Sequence, residues 1–165
     1  MPLQVGVIGN DGYISEKVKL LAEKMGRLIA ARGMILVCGG HSGVMEAAAR
    51  GAKAGGGITV GIIPESDKSR ANPFCDIVIA TGIGRARNLV VVNSSDVVVA
   101  ISGGAGTLSE IALALAENKR VIVLKGSGGV SDLVAGKMIG NCKVLEAESP
   151  EEVIEMILKY EKFEN

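Results

Sequence analysis

Glu110, Arg85 and Arg87 are the side chains best suited to do chemistry in this 165-residue chain. Glu110 closes the run "SGGAGTLSE" (102–110), where Gly103, Gly104 and Gly106 separate a strand-like apolar stretch from a helix-like one. Glycine is poor in either element, so its clustering must serve the junction itself. It lets backbone approach a ligand closely, and a helix N-terminus offers free N–H groups and a positive dipole end. Gly103, Gly104, Gly106 and Thr107 would form an anion cradle. Ser102 is either a further phosphate partner or a plain turn residue. "TLSE" also fits a capping box, with Thr107 as N-cap and Glu110 reaching back to its amide. That role needs no ligand, and a helix start facing a cleft can serve both purposes.

Arg85 and Arg87 open the helix-like segment "RARNLVVVNSS" (85–95). A cation in a first turn opposes the helix dipole by roughly 0.3–1 kcal/mol. Two of them call for a compensating anion: a phosphate, Glu110 or a neighbouring subunit's carboxylate. The plainer alternative is two solvated surface arginines. Helical spacing puts Arg85 and Asn88 on one face and turns Arg87 elsewhere. The run "GGHSGVM" (39–45) adds Gly39, Gly40, Ser42 and Gly43 to the candidate phosphate contacts. It also holds the single histidine, His41, whose loop position fits solvent contact better than ligation.

These residues need a scaffold. Short apolar runs at 3–9, 34–38, 58–64, 76–80, 96–101, 121–124 and 143–147 read as strands. Helical patterns cover 15–32, 44–54, 85–95, a stretch from Thr107, 131–139 and a last stretch from Ser149 or Pro150. The charged tail "KYEKFEN" (159–165) should fray or end that last helix. Strands without polar alternation are buried on both faces, as in a parallel sheet covered by helices. The expectation is one doubly wound α/β domain over residues 1–165, with a mainly parallel sheet of about seven strands and helices on both faces. Ligands of such sheets bind beyond the carboxyl ends of the strands. Glycine-rich turns follow the first, second, fourth and fifth strands. One such turn would mean little, but four on one edge point to a ligand site.

Composition removes several classes. Eighteen basic and eighteen acidic residues give zero formal charge, which argues against an electrostatic grip on nucleic acid or anionic membrane. Cys38, Cys75 and Cys142 are scattered, with no C-x-x-C, so no metal site is expected and a reducing cytoplasm suits the chain. No apolar run approaches membrane-spanning length. "GNDGYI" lacks G-x-G-x-x-G spacing, and the second strand ends in Cys38 and Gly39 with no acid for a ribose diol, which disfavours an NAD site. No G-x-x-x-x-G-K-[ST] occurs either.

"GGHSGVMEAAARGAKAGGGITVGIIP" and "SGGAGTLSE" together resemble the two signatures of the LOG proteins, the second usually written PGGxGTxxE. The resemblance spans residues 4–125 or so. It implies a Rossmann-like sheet, a homodimer or higher homo-oligomer, and hydrolysis of the N-glycosidic bond of nucleoside 5′-monophosphates. It does not imply lysine decarboxylation, the family's old label. Arg87 and Glu110 would be the active pair of such a hydrolase. Asn88 stands where active members carry lysine, and Ser102 replaces the usual proline. "GIGRARN" and "SSDVVVAISGGAGTLSE" look closer to a branch containing the molybdenum cofactor carrier proteins, which bind a phosphate-bearing pterin without chemistry. The leading expectation is therefore binding of a nucleotide-like phosphorylated ligand, a nucleoside monophosphate or a molybdopterin-type molecule, with no cofactor required. The alternative is the phosphoribohydrolase.

Overall fold

The apolar runs lack polar alternation because each strand serves two cores. Val5 and Val7 face one side of the sheet and Ile8 the other; Val97, Val99 and Ile101 oppose Val98 and Ala100 in the same way. The computed structural model describes residues 1–164, with side chains as far as Tyr160. It shows seven parallel strands: β1 (Gln4–Gly9), β2 (Ile35–Cys38), β3 (Thr59–Ile63), β4 (Ile77–Ala80), β5 (Val97–Ile101), β6 (Arg120–Leu124) and, after a two-stranded antiparallel hairpin of β7 (Met138–Ile139) and β8 (Cys142–Lys143), β9 (Leu145–Ala147). Their order is β4-β3-β2-β1-β5-β6-β9. Every pairing within it is parallel. The order reverses between β1 and β5, so a crevice opens at their carboxyl ends.

Helices α1 (Glu16–Ala31), α2 (Val44–Ala54) and α6 (Pro150–Glu164) cover one face. Helices α3 (Arg87–Asn93), α4 (Ala105–Ala116) and α5 (Gly129–Val134) cover the other. Ser15 caps α1, its hydroxyl accepting from the Val18 amide at 3.3 Å. The small residues of α2 are used within the chain. A Cβ on Gly51 would run into the Glu23 carbonyl of α1, and one on Gly26 into the Ala48 carbonyl of α2. The two helices therefore touch backbone to backbone. No helix among the described residues is long and apolar enough to cross a membrane.

Four expectations are corrected. Helix α4 starts at Ala105, two residues before Thr107, with Gly104 as its N-cap and no side-chain cap hydrogen bond. The Thr107–Glu110 capping box does not form, because the earlier start carries Glu110 past the first turn. The segment expected as a helix over 131–139 holds only the last turn of α5 and then enters the hairpin. The expected strand 143–147 splits between β8 and β9. The tail prolongs α6 as far as Glu164 instead of ending it; the side chains from 161 onward, and Asn165, lie outside the described residues.

Candidate functional site

The carboxyl ends of β1, β2 and β5 and the starts of α3 and α4 enclose a cleft of about 390 Å³. The turn after β5 forms one wall. Gly103 adopts φ +105°, and a Cβ there would strike the Thr107 side chain. Its amide donates to Asn10 Oδ1 at 2.6 Å, which ties the β5 turn to the β1 turn across the crevice. Gly104 is extended, and Cβ atoms added to Gly104 or Gly106 would meet nothing within 4 Å. The first turn of α4 thus shows bare, uncapped backbone to the cleft. The buried Thr107 lies beside it, its hydroxyl making no hydrogen bond among the described residues.

Arg87 and Glu110 meet in the depth of the cleft. Arg87 is 8% exposed and Glu110 6% exposed, and Arg87 Nη1 stands 3.7 Å from Glu110 Oε1. Burial pushes the Glu110 carboxyl up to about 7 against the pull of the arginine. At that distance the charges attract without a hydrogen bond, so lost hydration dominates. The guanidinium is held elsewhere: Nη2 donates to the Gly39 carbonyl at 3.0 Å and Nη1 to Asn88 Oδ1 at 2.5 Å. Arg87 Nε is the one buried side-chain polar atom without a partner among the described residues. Asn88 also donates from Nδ2 to Ser109 Oγ at 3.1 Å, bridging α3 to α4. A lysine at 88 could not accept from Arg87. Arg85 and Asn88 line the same cleft, but Arg87, expected to point elsewhere, is the arginine that bonds Asn88. The chain enters α3 through a 3-10 turn at Gly84–Ala86, which breaks the helical spacing. Arg85 is exposed at the rim.

Of the residues singled out in the sequence, Gly39, Arg85, Arg87, Asn88, Gly104, Gly106, Thr107 and Glu110 line the cleft. Gly40, Gly43, Ser102 and Gly103 shape its turns. Gly43 has φ +66°, and a Cβ there would strike the Asn10 carbonyl. Ser102 donates its amide to Ser127 Oγ at 2.7 Å, and its carbonyl accepts from Ser131. Ser42 turns away into an adjoining cavity, donating to Asp11 Oδ1 at 2.6 Å. His41 bridges Asp11 at 3.3 Å and Glu65 at 3.0 Å. Burial pushes Asp11 up, but bonds from Ser42 and His41 outweigh it and keep this carboxyl below its ordinary range. Asn10 and Asp11 escaped the sequence reading. Their signal was there: both sit in "GNDGYIS", the glycine turn after β1.

Known proteins share this fold. The molybdenum cofactor binding protein of Rippkaea orientalis superposes with a TM-score of 0.89 at 40% identity, covering 97% of this chain and 98% of that one. The molybdenum cofactor carrier protein of Chlamydomonas reinhardtii gives 0.80 at 33% identity, covering 95% and 97%. A cytokinin riboside 5′-monophosphate phosphoribohydrolase from Mycobacterium tuberculosis is 40% identical over 94 residues, 55% of this chain and 50% of that protein. The chain thus spans about half the length of that enzyme. The LOG-like signatures, the Rossmann-like sheet and the carrier-like neighbours agree, and with a family match over residues 2–154 the chain belongs to the SLOG cluster4 family.

Proposed function

We propose that this protein binds a phosphate-bearing, nucleotide-like ligand in the cleft at the carboxyl edge of the sheet and carries it without chemistry, a molybdopterin-type molecule being the cargo. The uncapped first turn of α4 carries this reading. Bare amides at a helix start beside glycines without Cβ contacts suit a phosphate. Arg85 at the rim and the unpartnered Nε of Arg87 supply further donors. Two of the solved structures matched over nearly their whole length are named for molybdenum cofactor binding or carriage, which supports the same reading. A homo-oligomer belongs to it. The α3 side of β4 leaves Ile77 and Ile79 51% and 43% exposed, an apolar strip that a second copy would cover. Light scattering at the monomer mass would refute that part.

One observation favours the alternative hydrolase. Glu110, poised near neutrality beside Arg87, is suited to orient water or steady charge developing on a ribose, with Arg87 anchoring an oxygen. Calorimetry with nucleoside 5′-monophosphates and a molybdopterin preparation, with free base assayed in parallel, separates the readings. Saturable binding without base release supports the carrier. Base release abolished by Glu110→Ala supports the hydrolase, and no binding of any phosphorylated ligand refutes both.

A further inference from the structure

Two of the three cysteines meet beneath the cleft. Cys38 ends β2 and is fully buried; Cys75 lies just before β4 and is half-buried. Cys38 stands in register with Gly61 of the neighbouring β3. Gly61 has no side chain, and a Cβ there would meet Cys75 Sγ at 2.5 Å. The Cys75 sulfur therefore fills the space that any side chain at 61 would take, packed against the core cluster that contains Cys38. The Cys38 and Cys75 side chains are therefore neighbours over Gly61.

Their surroundings differ in a useful way. The neighbouring Cys75 sulfur, together with burial, pushes the Cys38 thiol well above the ordinary thiol range. Cys75, beside the Cys38 thiol, is drawn below its ordinary value, with Asn72 and Lys53 helping against burial and the Asp76 carboxylate. A partly accessible sulfur with thiolate character beside a protonated, sealed thiol is the arrangement of an attacking and a resolving cysteine.

We propose that Cys38 and Cys75 form an oxidation site, which a hydroperoxide closes into an intramolecular disulfide. The Cys75 thiolate attacks a peroxide oxygen and the O–O bond breaks. With hydrogen peroxide, the departing hydroxide takes up a proton and leaves as water, and Cys75 becomes a sulfenic acid. Cys38 then gives up its proton and attacks the Cys75 sulfur. The S–S bond forms, the S–O bond breaks, and a second water leaves. Two thiol hydrogens are lost and one peroxide is reduced. The new bond ties the end of β2 to the segment before β4. These segments already hold the Gly39–His41 turn, through Asn72 Nδ2 to the His41 carbonyl at 2.9 Å and the Asn72 amide to the Gly40 carbonyl at 2.8 Å. Oxidation therefore acts on the turn that carries the Arg87 anchor, Gly39.

The test is to treat the whole chain with hydrogen peroxide, then measure intact mass, count free thiols and map disulfide-linked peptides. The expected product is lighter by two hydrogens, keeps one of the three thiols, yields a Cys38–Cys75 cross-linked peptide and reverts with dithiothreitol. Cys142→Ser should form the same bond, and Cys75→Ser should form none. Three free thiols under conditions that fully oxidise glutathione would overturn the proposal. So would a bond involving Cys142, or Cys75 sulfinic acid without a cross-link.

Discussion

Glu110→Gln tests whether burial or the Arg87 charge governs the site. The wild-type carboxyl moves from an ordinary 4.5 when unfolded to about 7 when folded. Its folded value is raised, so the native state binds more protons than the unfolded state between those two values. Stability contributed by the neutral acid is whole below the unfolded value and is lost as pH rises through the folded one. At about 1.4 kcal/mol per tenfold change, the loss approaches ~3 kcal/mol by pH 8. Glutamine has the shape of the neutral acid and does not titrate. Urea denaturation of both proteins at several pH values isolates the difference. The advantage of Glu110→Gln over wild type should grow by roughly 3 kcal/mol between pH 4 and pH 8. In thermal scans of a domain this size that difference is on the order of 10 °C. Parallel curves would mean that Glu110 titrates like an exposed carboxyl. The argument that it is poised near neutrality would then fall.

Gly104→Val should fold as well as wild type, since its Cβ region is empty and its backbone is extended. It should still weaken nucleoside monophosphate binding at least about tenfold by blocking close backbone approach; undiminished binding in calorimetry would move the phosphate elsewhere. Thr107→Val should keep its denaturation midpoint, because the hydroxyl makes no hydrogen bond among the described residues and caps nothing. The same variant should lose ligand affinity, and a matching loss of stability would show that the hydroxyl serves the fold. Gly51→Ala should cost about 1–3 kcal/mol by driving a methyl into the Glu23 carbonyl. An unchanged urea midpoint would show that α1 and α2 can part freely.

The sequence alone determined the sheet and the glycine-rich turns at its carboxyl edge. Two-sided burial demands strands that are apolar at every position, as in Val97–Ile101, and that pattern is local. Turns with positive φ or close backbone approach demand glycine, so Gly43 and Gly103 mark the turns of the cleft in the sequence itself. Asn10 and Asp11 were visible in the glycine turn after β1 but carried no pattern of their own. Tertiary structure decided the rest, because it depends on contacts between residues far apart in the chain. Arg87 meets Glu110 only because α3 and α4 pack side by side, and that burial, invisible in "TLSE", sets the carboxyl's charge. The start of α4 at Ala105 was set by the turn locked to Asn10 rather than by capping preference. The small residues of α2 permit close packing, but only the fold names α1 as the partner. Cys38 and Cys75 meet because the strand between them lacks a side chain at Gly61, a relation across three segments that no local rule contains.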